Sequence, residues 1–198
     1  MSHSMPLRRV TAIAMVAALS YAVFTFLQIK LPLPGGGATS LHLGNAVCVL
    51  GALVLGGFSG GLGGAIGMTI GDLLDPVYIV TAPKTFVLKL CIGLVTGFVA
   101  HRLGHIDTCA DRRHVLRWAA LAAAAGLLFN VVADPLVGYA YNRFLLGRSA
   151  AEVALVWNVA STSLNAAASA VVSVAAYMAL RPVLGRLHLN PPARAHVG

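Results

Sequence analysis

Charge is what this sequence has least of. Only 10% of its 198 residues are Asp, Glu, Lys or Arg, and only six of them are acidic. A soluble domain carries about 25% charged residues, so a chain this poor in charge cannot cover its own surface in water. Cysteine is scarce as well. Cys48, Cys91 and Cys109 form no CxxC pair, which excludes a disulfide framework and zinc-ligand spacing. Two of them lie in apolar segments, where cysteine behaves as a small hydrophobe.

Recognisable engines are missing too. There is no P-loop for hydrolysing ATP and no D-x-x-D-G run of a phosphatidyl-transfer enzyme. "GFSG" at 57–60 matches the Gly-x-Ser-Gly of intramembrane serine proteases. A serine nucleophile needs a base, usually histidine, yet no histidine lies between 115 and 187. His101, His105 and His114 flank a single inter-segment loop. No catalytic residue, metal site or bound cofactor is expected.

What is present is apolar: 58% hydrophobic residues and a mean hydropathy of +0.83. A spanning helix needs about 20 mostly apolar residues. Six apolar segments can be counted, at about 9–31, 43–57, 58–75, 83–103, 115–141 and 152–181. The expected fold is therefore an all-α integral membrane protein, a single six-helix transmembrane bundle over 1–198. The basic, then apolar, N-terminus lacks an A-x-A site with a polar start behind it, so it reads as a retained first span. Segments two and three are short. Fifteen residues reach only about 22 Å against a hydrocarbon core of roughly 30 Å, so neighbouring helices must shield them. Ser149 reads as the N-cap of segment six.

The net charge of +8 is spread between apolar segments. It is not gathered into the basic stripe of a nucleic-acid binder, so no nucleic-acid partner is expected. Arg8, Arg9, Arg102, Arg112, Arg113, Arg117, Arg181, Arg186 and Arg194 fall on one side of a six-span arrangement. Lys30, Lys84, Arg143 and Arg148 fall on or near the other. The richer side is cytoplasmic, which puts both termini inside and the loops 32–42, 76–83 and 142–151 outside.

The run 41-LHLGNAVCVLGALVLGGFSGGLGGAIGMTIGDLLD-75 holds nine glycines between 51 and 71. Gly63, Gly67 and Gly71 form one helical stripe, and Gly56, Gly60 and Gly64 another. Small residues at this spacing let helix backbones approach closely in lipid, so the stretch reads as two packed helices and not as a linker. Ala14, Ala18 and Ala22 repeat the spacing on the first helix.

Polar groups at membrane depth are costly and call for a partner or a role. Asn45 opens segment two, Asp72 closes segment three, and Lys84 and Lys89 start segment four. Asn130 and Asp134 share a face of segment five. On segment six Asn158, Thr162, Asn165 and Ser169 form one stripe. These groups mark an outward-opening pocket between the outer halves of helices five and six, with Tyr139 or Trp157 available for stacking. Neutral amides suit an uncharged or zwitterionic heterocycle. The loop "LPLPGGGATSLH" reads as a flexible lid.

Leu43-Gly44-Asn45, the glycine hairpin 56–64, Asp72-Leu73-Leu74, Pro83 with Lys89, and the alanine-spaced first helix together resemble the substrate-binding S component of energy-coupling-factor (ECF) vitamin transporters. The resemblance spans roughly residues 8–183. It implies a six-helix bundle in a bacterial or archaeal cell membrane, binding a vitamin or precursor near the outer face. It also implies docking through Ala14, Ala18 and Ala22 onto a transmembrane coupling subunit, with two cytoplasmic ATPases supplying the ATP chemistry. Such proteins are thought to topple in the bilayer, carrying the site inward. A stand-alone, proton-coupled secondary transporter using Asp72 or Asp134 is the competing expectation, though no inverted repeat is visible.

Overall fold

The computed structural model describes residues 7–33, 37–147 and 150–186. Ser149, Arg148, Arg194, Pro34, Gly35 and Gly36 lie outside them. Six α-helices are found among the described residues: α1 Leu7–Phe26, α2 Gly44–Leu55, α3 Gly57–Leu73, α4 Ala82–Gly97, α5 Arg112–Ala140 and α6 Ala151–Arg186. A 3-10 turn at Ile79–Thr81 precedes α4. The C-terminal end of α4 continues as a π-helical turn, Phe98–Leu103, and that of α5 as another, Tyr141–Leu145. The described residues are mostly helical (82%). Among them four stretches are long and apolar enough to cross a bilayer: Leu7–Phe26, Ile79–Leu103, Arg112–Leu145 and Ala151–Leu184.

One piece of the fold is not helical. The first apolar run ends as a helix at Phe26, and its last residues form β1 (Gln28–Pro32), paired antiparallel with β2 (Ala38–His42). Gln28 faces His42 and Pro32 faces Ala38. Leu33 N–H closes the hairpin on Gly37 O at 3.1 Å, where Gly37 takes a φ of 85° that glycine tolerates freely. The loop expected to be a flexible strip is thus an ordered hairpin in its described part.

The short α2 solves its length problem by burial. At 12 residues it spans about 18 Å, and all of Gly44–Val49 and Gly51–Leu53 is buried. It sits inside a ring of the longer helices. Cys48, Val49 and Leu53 meet Ile92 of α4 and Ala119, Ala122 and Leu127 of α5 in the core cluster.

Glycine on three faces of α3 makes this possible. A Cβ on Gly67 would fall 2.1 Å from Ala17 O of α1, and one on Gly60 would fall 2.0 Å from the Gly51 carbonyl carbon of α2. Toward α4 the glycines face each other. A Cβ on Gly93 would sit 2.2 Å from Gly61 Cα, and one on Gly97 would sit 2.2 Å from Gly57 Cα. Gly63, Gly67 and Gly71 do line α1, whereas Gly60 and Gly64 line α2. Gly56 belongs to neither stripe. It forms the α2–α3 turn at φ 84° with open space around it.

Backbone-to-backbone contact of this kind predicts a graded response to one methyl group. Gly93→Ala should force α3 and α4 apart and cost about 1–3 kcal/mol. Gly138→Ala, whose Cβ would meet nothing closer than Lys84 Nζ at 3.5 Å, should leave the melting temperature in detergent near wild type. Equal melting of the two variants would contradict this packing.

Candidate functional site

One end of the bundle encloses a cavity of about 110 Å³, reached by every helix and roofed by the hairpin. Of the expected pocket residues, Asn45, Asp72, Lys84, Lys89, Asn130, Asp134, Asn158, Thr162 and Asn165 line it. Tyr139 and Trp157 do not. Tyr139 donates to Glu152 Oε1 at 3.5 Å, and Trp157 is 48% exposed on the outside of α6. Both suit an aromatic belt at the membrane interface. The aromatic walls are instead Phe24, Tyr78 and Tyr141. Tyr141 OH donates to Val80 O at 2.6 Å, tying the end of α5 to the 3-10 turn.

One side of the cavity is a charged cluster. Lys84 Nζ lies 2.5 Å from Asp134 Oδ1, and Lys89 Nζ lies 3.5 Å from Asp134 Oδ2. Lys89 also donates to Asn130 Oδ1 at 3.3 Å. Asp72 lines the same cavity and is buried, with Thr85 also in the wall. Two lysines and two aspartates therefore face one space with no formal excess of either sign. A buried ion pair contributes little net stability, yet removing one partner strands a charge. Such a cluster is fixed in composition once formed.

The floor is amide. Asn45 is 1% exposed and Asn130 is fully buried. Asn45 Oδ1 and Asn130 Nδ2 have no hydrogen-bond partner. Buried polar groups are nearly always paired, and leaving one unpaired costs about 1–3 kcal/mol. The Lys89 bond fixes which way Asn130 points: Oδ1 toward the ammonium, Nδ2 free. The floor thus offers one free acceptor and one free donor.

Asn165 behaves differently. Its Oδ1 accepts from His42 N–H at 3.0 Å and its Nδ2 donates to Ser40 O at 2.8 Å. Thr39 Oγ1 and Ser161 Oγ, 2.6 Å apart, add a second tie. Both arms of Asn165 are thus occupied by the hairpin, which makes it an anchor of the roof. His42 was not expected in the site. Burial, then the nearby Lys89 charge, push its imidazole down to about 3. It stays neutral, and Nδ1 accepts from Gly44 N–H at 3.2 Å. Ser161 was missed as well, although it lies between Asn158 and Asn165 at helical spacing. On the exposed side of the roof Lys30 pairs with Asp75 and stands 5.7 Å over the Tyr78 ring.

A buried, charge-balanced cavity with unpaired amides, set in a multi-pass helical bundle, defines a membrane protein that binds a small polar solute. The chain belongs to the S components of ECF-type riboflavin transporters: the model of that family, "ECF-type riboflavin transporter, S component", matches residues 4–182. No curated protein matches it. Membership makes it a substrate-binding subunit of a vitamin transporter, in a transport family and not an enzymatic one. It does not favour the stand-alone carrier.

The two ties on α6 predict how the roof is held. Asn165→Ala should leave the bundle folded but speed amide exchange across Ala38–His42 by roughly 5- to 150-fold, the equivalent of one lost buried hydrogen bond. Unchanged protection there would mean that the hairpin is held by other contacts.

Proposed function

We propose that this protein captures riboflavin, or a flavin close to it, at the outer membrane face of a bacterial or archaeal cell. It then passes the vitamin on for uptake through a transmembrane coupling subunit served by two cytoplasmic ATPases. The observation that carries this reading is the cavity floor, where Asn45 keeps a free amide acceptor and Asn130 a free amide donor within a neutral charge balance. A flat heterocycle with C=O and N–H groups on its edge would supply partners of both kinds. Phe24, Tyr78 and Tyr141 are placed to meet its ring. The family description supports the choice of vitamin.

The remaining assignments follow from the same reading. All six helices are assigned to the membrane unit, with the short α2 and α3 shielded by the rest, and the arginine-rich ends support a cytoplasmic location for both termini. The cavity is smaller than the roughly 300–1,000 Å³ typical of ligand pockets, so the hairpin lifts or shifts as the vitamin enters. Asp72, Lys84, Lys89, Asp134, Asn158 and Thr162 complete the walls. Asn165 holds the lid.

Docking is assigned to α1. Its inner face is already used, since Ile13, Val16, Ala17, Ser20 and Phe24 pack on α3. Ala14 and Ala18 are exposed and line an apolar groove with Val10, Tyr21, Ile66 and Ile70. Ala22 is half-buried and lies outside that groove. A partner helix of small-residue type can approach there.

Two measurements test the proposal. Titrating the purified protein into riboflavin should quench the vitamin's fluorescence to saturation at a one-to-one ratio, and Asn130→Ala should weaken binding by about 5- to 150-fold. Tighter binding of another water-soluble vitamin would overturn the substrate assignment. Separately, Ala14→Trp or Ala18→Trp should leave binding intact and abolish uptake. Normal uptake by either variant, still assembled with its partners, would remove α1 as the docking face.

A further inference from the structure

At the end of the bundle opposite the cavity, α4 and α5 meet in a corner rich in arginine. Arg102 lies near the end of the π-helical turn after α4, and Arg112, Arg113 and Arg117 occupy the first turns of α5; all four are exposed. The two strands of this corner are held together. His114 Nε2 lies 2.8 Å from Gly104 O, and Gly104 packs on the Trp118 side chain.

Among the described residues two carboxylates flank the corner, and both are occupied. Asp107 Oδ2 is 2.6 Å from His101 Nδ1. Asp111 caps α5, accepting from the N–H groups of Arg113 and His114 at 3.0 and 3.2 Å. Among the described residues no carboxylate pairs with Arg102, Arg112, Arg113 or Arg117. The capped helix end has no free N–H at those two positions for an outside anion. The guanidinium groups are what remains to meet one.

Position identifies the anion. Arg113 and Arg117 stand one helical turn apart on the stripe that continues as Leu121, Leu128 and Val132, all exposed. Leu103 and Leu116 are exposed beside them. Apolar side chains on that stripe face the acyl chains, so the next turn lies at headgroup depth. Arginine stems can lie along the apolar boundary while their heads reach the phosphates.

We propose that the Arg102/Arg112/Arg113/Arg117 corner binds the headgroup of an anionic phospholipid, with its acyl chains along the leucine stripe of α5. The proposal needs only that the protein resides in a bilayer and holds whichever vitamin is bound. Each basic residue near an anionic membrane surface contributes roughly fivefold in partitioning, so two should contribute about 25-fold.

The test is native mass spectrometry of the full chain released from nanodiscs containing equal parts phosphatidylglycerol and phosphatidylcholine. The wild type should retain phosphatidylglycerol preferentially, and 0.5 M salt should weaken that preference. Arg113→Gln/Arg117→Gln should lose about 25-fold of it, Arg113→Lys/Arg117→Lys should keep most of it, and Arg143→Gln at the other end should keep all of it. Size-exclusion profile and melting temperature show whether each variant is folded. If the glutamine pair misfolds, the lysine pair and the salt series still decide the matter. Wild-type-like retention by the glutamine pair overturns the proposal, as does equal loss in Arg143→Gln. A glutamine pair that keeps its lipid but fails to assemble with the coupling subunit would make the corner a protein contact instead.

Discussion

Everything in this molecule hangs on how closely α3 can lie against three neighbours at once. With Cβ atoms present at Gly60, Gly67 or Gly93, neighbouring backbone would have to retreat by more than an ångström. The bundle would then widen around α2. In lipid no hydrophobic effect pulls helices together, so dispersion and close backbone fit supply the association. The nine glycines between 51 and 71 lower helix propensity in water, but in a bilayer the backbone must satisfy its hydrogen bonds internally, and helix is the available solution. What these glycines lose in propensity is offset by contact.

That tight lower body fixes the upper one. Because α2 is short and begins at Gly44, its first turn presents Asn45 from below to a space that the longer helices surround. Lys89, Asn130 and Asp134 reach the same level from α4 and α5, where their charges can compensate one another. A polar cluster at this depth survives because its members neutralise each other or await a ligand. Coulomb attraction offsets part of their desolvation cost, and the unpaired amides are the portion left over for a solute.

Much of this was legible in the residues. Shielded short spans, close glycine packing and nine of the eleven expected cavity residues follow from spacing and the cost of polar groups in lipid. The misses have physical reasons. Tyr139 is five residues beyond Asp134, which carries it about 140° round the helix, so spacing already pointed it away from the cavity. Trp157 is one residue off the Asn158 stripe, about 100° aside. Tyr141, by contrast, lies seven residues beyond Asp134, within about 20° of the same face, so spacing favoured it over Tyr139 as the aromatic wall. The hairpin was hidden for another reason. Its first strand is the tail of an apolar run, and what makes it a strand is its pairing with Ala38–His42 and the grip of Asn165, both distant in sequence. The orphaned amide atoms could be found only once every partner had a position.

The dense packing beneath the cavity has a second consequence. There α3 touches α2 and α4 backbone to backbone, and Ile106, Val115 and Ala119 are fully buried toward the end of the bundle away from the site. Where two helix backbones leave no room for a methyl group between them, they leave none for a file of waters either. The contacts that hold the helices together are therefore also a seal along their length.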